Sequence, residues 1–207
     1  MPQHKPTTIV VVDDEQIIRY GLRLALKNAP NLEVVGEAKD GLSGIQAVLE
    51  HEPDVVLMDI GMPIMDGIEA TKQIKSKLAP TKVVMLTSHG TGEDVFAAFS
   101  AGADAYCLKD ISSKNLIYAI TNIVEGIAWL DPEIAACVLI ACKADQSGPE
   151  SSRKLSALEF EVLSSIVEGH DAEAILERLK INQATLVKMM PQIMKKLAIS
   201  EHGIYAE

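Results

Sequence analysis

The sequence predicts a doubly wound α/β unit with a five-stranded parallel sheet, followed by a small all-helical unit. Three observations carry this expectation. Short β-branched runs alternate with helix-period segments over residues 8–126, the pattern of successive βαβ units. Those runs are apolar throughout, as strands covered on both faces require. From Leu155 onward no strand signal remains.

The elements follow in order. After a tail (1–7), "TIVVV" (8–12) opens the sheet, and a helix-period segment spans 16–28. "LEVVG" (32–36), "DVVLM" (54–58), "KVVML" (82–86) and "DAYCL" (104–108) are the next strands. Helices near 41–51, 66–77, 92–101 and 112–126 separate and follow them. This α/β unit is expected to cover 8–127. A linker over 128–154 comes next, and it contains "LDPEIAACVLIACK" (130–143), a lone helix near 131–143 with Asp131 as N-cap and Pro132 in its first turn. "ADQSGPESSRK" (144–154) is rich in Ser, Gly and Pro and marks the flexible part of the linker. The last unit (155–207) has helices near 156–168, 171–180 and 183–197, broken at "EGHD" and "KIN".

The final helix contains a conflict. Leu186, Met189 or Met190, Ile193 and Leu197 share one helical face, yet Pro191 sits among them and removes a backbone hydrogen bond, at about 3 kcal/mol against Ala. A helix held by its apolar stripe is expected, with a kink or break at Pro191; the alternative is two pieces, with Pro191 restarting a short helix in its first turn.

The totals narrow the function. In 207 residues the hydrophobic fraction is 48% and aromatics only 4%, so cores must be aliphatic. The net charge of −10 argues against non-specific coating of nucleic acid, which depends on neutralising phosphates. No apolar run reaches 18 residues and no charged-then-apolar leader is present, which argues for a cytoplasmic chain with no membrane partner. Cys107, Cys137 and Cys142 lack metal-site spacing and read as buried thiols.

Sorted by strand end, the polar residues gather. Asp13 and Asp14 follow the first run, Asp59 the third, Thr87 the fourth and Lys109 the fifth. Ligands of doubly wound sheets bind beyond the carboxyl ends of the strands, so these groups are expected to converge. Crowded carboxylates repel unless a cation or protons intervene, and an all-oxygen set suits Mg²⁺. One carboxylate could then attack a phosphorylated donor to give an acyl phosphate, with Lys109 offsetting charge on the transferring group. Plainer readings exist for each: the acids as helix caps, Thr87 as the cap of the fourth helix, Lys109 as a surface charge. Their coincidence at one edge favours the chemical reading.

Together, "VVDDE" (11–15), "LMDIGMPIMDG" (57–67), "VMLTS" (84–88) and "YCLKD" (106–110) resemble the flavodoxin-like receiver domain of two-component response regulators. The resemblance covers roughly the first 125 residues. It implies that Asp59 is the phosphoacceptor, served by a sensor histidine kinase. It also implies that Asp14 and Asp59 bind Mg²⁺, with Asp13 helping through water and Gly61 offering its carbonyl. Thr87 would be the switch hydroxyl, Lys109 the phosphate-facing cation and Tyr106 the aromatic that moves inward. Asp110, where many receivers have Pro, is as in the NarL/FixJ subfamily, whose members dimerise on phosphorylation and bind promoter DNA.

"LSALEFEVLSSIVEG" (155–169), "AEAILERLKI" (172–181) and "NQATLVKMMPQIMKKLAIS" (182–200) resemble the LuxR-type helix-turn-helix of that subfamily. The recognition helix departs from the pattern: Val187 and Met189 stand where the family has lysine and histidine, and Pro191 follows. It leaves Thr185, Lys188, Gln192, Lys195 and Lys196 as candidate DNA contacts. From Leu155 to Glu207 five basic residues face eight acidic ones, and "EHGIYAE" (201–207) is short for the family's closing helix. Two functions are therefore expected to compete: a phosphorylation-gated transcription regulator, and a switch whose output unit has lost operator reading and binds a protein partner.

Overall fold

A computed structural model describes residues 5–88, 92–127, 129–144 and 155–200. The expected strands are β1 (Thr7–Val12), β2 (Leu32–Ala38), β3 (Val55–Asp59), β4 (Lys82–Thr87) and β5 (Ala105–Leu108). Helices α1 (Gln16–Lys27), α2 (Gly41–His51), α3 (Gly67–Lys77), α4 (Gly92–Ser100) and α5 (Ser113–Val124) connect and follow them. A sixth strand, β6 (Trp129–Leu130), lies inside the segment expected to be linker and pairs with Ala105 and Tyr106. The sheet therefore has six parallel strands rather than five, in the order β2-β1-β3-β4-β5-β6.

Strand residues alternate between two cores, which explains the unbroken apolar runs. Ile9, Val11, Val55, Leu57, Val84, Leu86 and Cys107 face α1 and α5, meeting Leu26, Leu116, Ile120 and Ile123. Val10, Val12, Val56, Met58, Val83, Met85 and Tyr106 face α2, α3 and α4. The inner strands β1, β3, β4 and β5 thus remove both faces from water, at roughly 25 cal/mol per Å² of apolar surface buried, while the edge strand β2 is only partly covered.

Among the described residues four helices follow α5: α6 (Pro132–Ala144), α7 (Ala157–Val167), α8 (Ala172–Leu179) and α9 (Gln183–Ser200). Asp131 accepts from Glu133 N at the start of α6 (3.0 Å), as its position before Pro132 suggested. Ser156 and Glu159 close a reciprocal capping box on α7, and Asp171 caps α8. The apolar stripe of α9 is real: Leu186, Met189 and Ile193 are buried in the same core that holds Val95, Phe96 and Phe99 of α4. That burial accounts for α9 running as one helix through Pro191, instead of ending there. Met189 is core filling. Residues 145–154 of the expected linker, residues 1–4 of the tail and "EHGIYAE" (201–207) lie outside the described residues, as do the side chains of Cys137, Cys142, Met190 and Pro191.

Candidate functional site

The carboxyl ends of β1, β3, β4 and β5 converge as the topology requires, because Val12 pairs with Met58, Asp59 with Leu86 and Thr87 with Leu108. Asp13, Asp14 and Asp59 each place a carboxylate oxygen within 4.8 Å of the others. Asp13 and Asp59 are buried, while Asp14 is exposed to solvent. Such a set, half buried and open on one side, suits a hard divalent cation that keeps some of its waters. Gly61 lies exposed in the turn after Asp59, and a side-chain carbon built there would meet nothing within 4 Å.

Lys109 is not a solvated charge. Its ammonium sits 2.8 Å from Asp13 Oδ2 and 3.0 Å from Asp59 Oδ2, with Glu15 Oε1 at 3.8 Å, and its side chain is 10% exposed. Its backbone N–H donates to Thr87 O (2.7 Å), which ties the tip of β5 to that of β4. Burial alone would lower the pKa of Lys109, but hydrogen bonds and charge from Asp13 and Asp59 outweigh it and raise the value. For Asp59 burial is the leading cause and pushes the carboxyl above its ordinary range; Lys109 pulls the other way and Asp13 adds to the rise.

Thr87, buried at the last position of β4, is five residues ahead of α4 and so does not cap it. Tyr106 is fully buried beside Phe99, with ring centroids 6.4 Å apart. The structure therefore holds this aromatic inward. Burial raises its phenol pKa, with Asp94 adding and Thr87 partly offsetting.

One site feature left no mark in the sequence. Arg19 of α1 donates from Nη1 to the carbonyls of Asp13 (2.7 Å) and Asp14 (3.1 Å) and pairs with Glu37 at 3.7 Å. It fixes the turn that presents both acids. Because it grips backbone oxygens, no residue-type pattern announces it.

The candidate DNA contacts fare unevenly. Lys188 and Gln192 are exposed on α9. Thr185 is engaged locally, its N–H and hydroxyl both donating to Asn182 Oδ1 (2.8 and 2.9 Å). The side chains of Lys195 and Lys196 lie outside the described residues. Among the described residues no helix is long and apolar enough to cross a membrane.

The response regulator receiver domain family matches residues 9–121. "Transcriptional regulatory protein LiaR" of Bacillus subtilis is 35% identical over 201 residues, spanning 96% of this chain and 95% of that protein. A solved two-component response regulator of the LuxR family from Aurantimonas is 33% identical and covers 64% of this chain and 94% of its own (TM-score 0.61). The solved response regulator ChrA of a heme-sensing two-component system is 29% identical over 97% of this chain and 98% of its own (TM-score 0.57).

Proposed function

The chain belongs to the response regulator receiver family, and from that premise we propose that it is a phosphorylation-gated regulator of transcription, charged on Asp59 by a sensor histidine kinase. The observation that carries the reading is the convergence of Asp13, Asp14 and Asp59 at one sheet edge, with the Lys109 ammonium between Asp13 and Asp59. Asp13, Asp14 and Asp59, with the Gly61 carbonyl, would hold Mg²⁺. When bound, the ion offsets the clustered negative charge and that of the incoming phosphoryl group.

The chain's own groups supply the rest. An Asp59 carboxylate oxygen attacks the phosphorus of the kinase's phosphohistidine; the O–P bond of the acyl phosphate forms as the donor's P–N bond breaks, and the departing imidazole takes up a proton. Lys109 already lies 3.0 Å from Asp59 Oδ2, so its charge is in place to stabilise the phosphoryl oxygens without reorganisation. The Thr87 hydroxyl donates to one of those oxygens once the group is attached. Tyr106, beneath Thr87 and next to Phe99 of α4, carries the change toward α4. Because α9 buries its apolar stripe in the core that includes α4, a shift there alters how α9 is held. The freed helical unit then dimerises and engages promoter DNA.

A second reading keeps the switch and changes the output. Thr185 donates its hydroxyl to Asn182, Val187 and Met189 replace polar groups on α9, and the residues from Leu155 to Glu207 carry more acid than base, which leaves Lys188 and Gln192 as the exposed polar groups among the described side chains of the middle of α9. That favours a protein partner for the released unit.

The switch itself is tested by intact-mass spectrometry of the full chain after incubation with acetyl phosphate. A gain of one phosphoryl group with Mg²⁺, and none when EDTA is present from the start, is the expected result. No gain under either condition contradicts the assignment.

A further inference from the structure

We propose that Arg19 and Glu37 are positioning residues that set how tightly the acidic cluster holds its divalent cation. The proposal rests on the reading of that cluster as a Mg²⁺ site and adds to it the pair that keeps Asp14 in place. The three acids are not held alike. Asp59 closes β3 and meets Lys109 at 3.0 Å. Asp13 Oδ1 accepts from Glu15 N (2.9 Å), its Oδ2 lies 2.8 Å from Lys109, and its N–H donates to Ala38 O (3.1 Å). Asp14 differs: its side chain is exposed and has no hydrogen bond or ion pair among the described residues. Glu15, at the N-cap of α1, makes no side-chain cap bond, so capping does not fix the turn either. Asp14 is placed by its own backbone, and the side chain that grips that backbone is Arg19.

Arg19 Nη1 donates to Asp13 O at 2.7 Å and to Asp14 O at 3.1 Å, and its side chain is only 16% exposed. A guanidinium carries five donors in a rigid planar fork, so one nitrogen can bridge two carbonyls while another meets a carboxylate. Glu37 supplies that carboxylate. Its Oε2 lies 3.7 Å from Arg19 Nε, and its Oε1 accepts from Arg23 Nη1 at 2.6 Å. Glu37 pairs with Val11 in the sheet and directly precedes Ala38, whose carbonyl accepts from Asp13 N. The end of β2 therefore supports the acidic turn twice, once through Ala38 and once through Glu37 and Arg19.

The direction of the effect separates grip from charge. Arg19 and the cation are both positive, so by charge alone removing Arg19 would tighten Mg²⁺ binding. Loss of the grip acts the other way. The turn that carries Asp14 must then be ordered at each binding event, which lowers affinity. Metal sites lose roughly 10- to 100-fold in affinity when the groups that orient their ligands are removed, and that loss outweighs the relief of a screened repulsion.

The test is calorimetric titration of the full chain with MgCl₂, which reads affinity without any phosphoryl transfer. Arg19→Met is expected to bind Mg²⁺ about tenfold more weakly than the parent protein. Glu37→Gln leaves every Arg19 donor in place and guards against a folding defect; it is expected to weaken binding by a smaller factor. Arg23→Met removes an equal charge from the same helix without touching the turn, and is expected to bind no more weakly than the parent. Unchanged or tighter binding in Arg19→Met or in Glu37→Gln overturns the proposal and leaves the metal reading intact. A loss in Arg23→Met as large as that in Arg19→Met does the same. A parent protein that binds no Mg²⁺ overturns both.

Discussion

Asp59→Asn is expected to abolish phosphoryl uptake from acetyl phosphate and, in EDTA, to raise the thermal midpoint of the protein. Uptake is lost because a carboxamide is no nucleophile at this pH and cannot form an acyl phosphate. Stability rises because the carboxylate is held under strain: Asp59 is buried beside Asp13, and its carboxyl titrates above its ordinary value in the folded chain. For an acid raised in this way, its contribution to stability is full at acid pH. It declines as pH climbs from the ordinary carboxylate range through the raised folded value. The neutral amide escapes that decline, so the two melting curves should coincide in acid and separate toward neutrality. Thermal midpoints across that range, with EDTA present, check the sign; parallel curves at every pH would contradict it. Activity at this position is thus set against stability, as is common where like charges are gathered for chemistry.

Gly67→Ala should be severe for a different reason. A Cβ at Gly67 would stand 1.9 Å from the Asp59 carbonyl oxygen and 2.9 Å from its carbonyl carbon. Neither is the end of a flexible side chain, so the strand end or the start of α3 must move. Gly67 N also donates to Ile60 O (3.0 Å), and that bond would be stretched. The expected cost is about 3 kcal/mol, a drop in thermal midpoint on the order of 10 °C for a chain of this length. Phosphoryl uptake should slow as well, because Asp59 is displaced. Gly61→Ala, two residues beyond Asp59 and with open space at its Cβ, is the matched control and should melt near the parent protein.

The sheet and the acidic site were legible for linked reasons. Strands buried on both faces are written as uninterrupted β-branched runs, and in this topology their ends locate the chemistry, so Asp13, Asp59, Thr87 and Lys109 could be placed from sequence alone. Trp129–Leu130 escaped because two residues form no run; they are strand only through pairing with β5, reinforced by Asp131 N donating to Tyr106 O (3.1 Å). At Pro191 the helix expected from the apolar stripe does form, and the break expected there does not: the missing backbone bond is outweighed by burial of Leu186, Met189 and Ile193. Arg19 acts on main-chain oxygens that every residue has. Thr185 looked available until Asn182 took its hydroxyl.

The central claim is that a signal at Asp59 governs what α9 can bind, and promoter-DNA binding by the full-length protein tests it most directly. It should be measured with and without beryllofluoride and Mg²⁺ at two salt concentrations, since contacts to phosphates weaken steeply with salt. The account predicts sequence-selective, salt-dependent binding that appears only with beryllofluoride. Selective binding of equal strength in both states would contradict gating. No binding in either state, with beryllofluoride still changing the oligomeric state, would contradict the transcriptional output and leave a protein partner as the target of the switch.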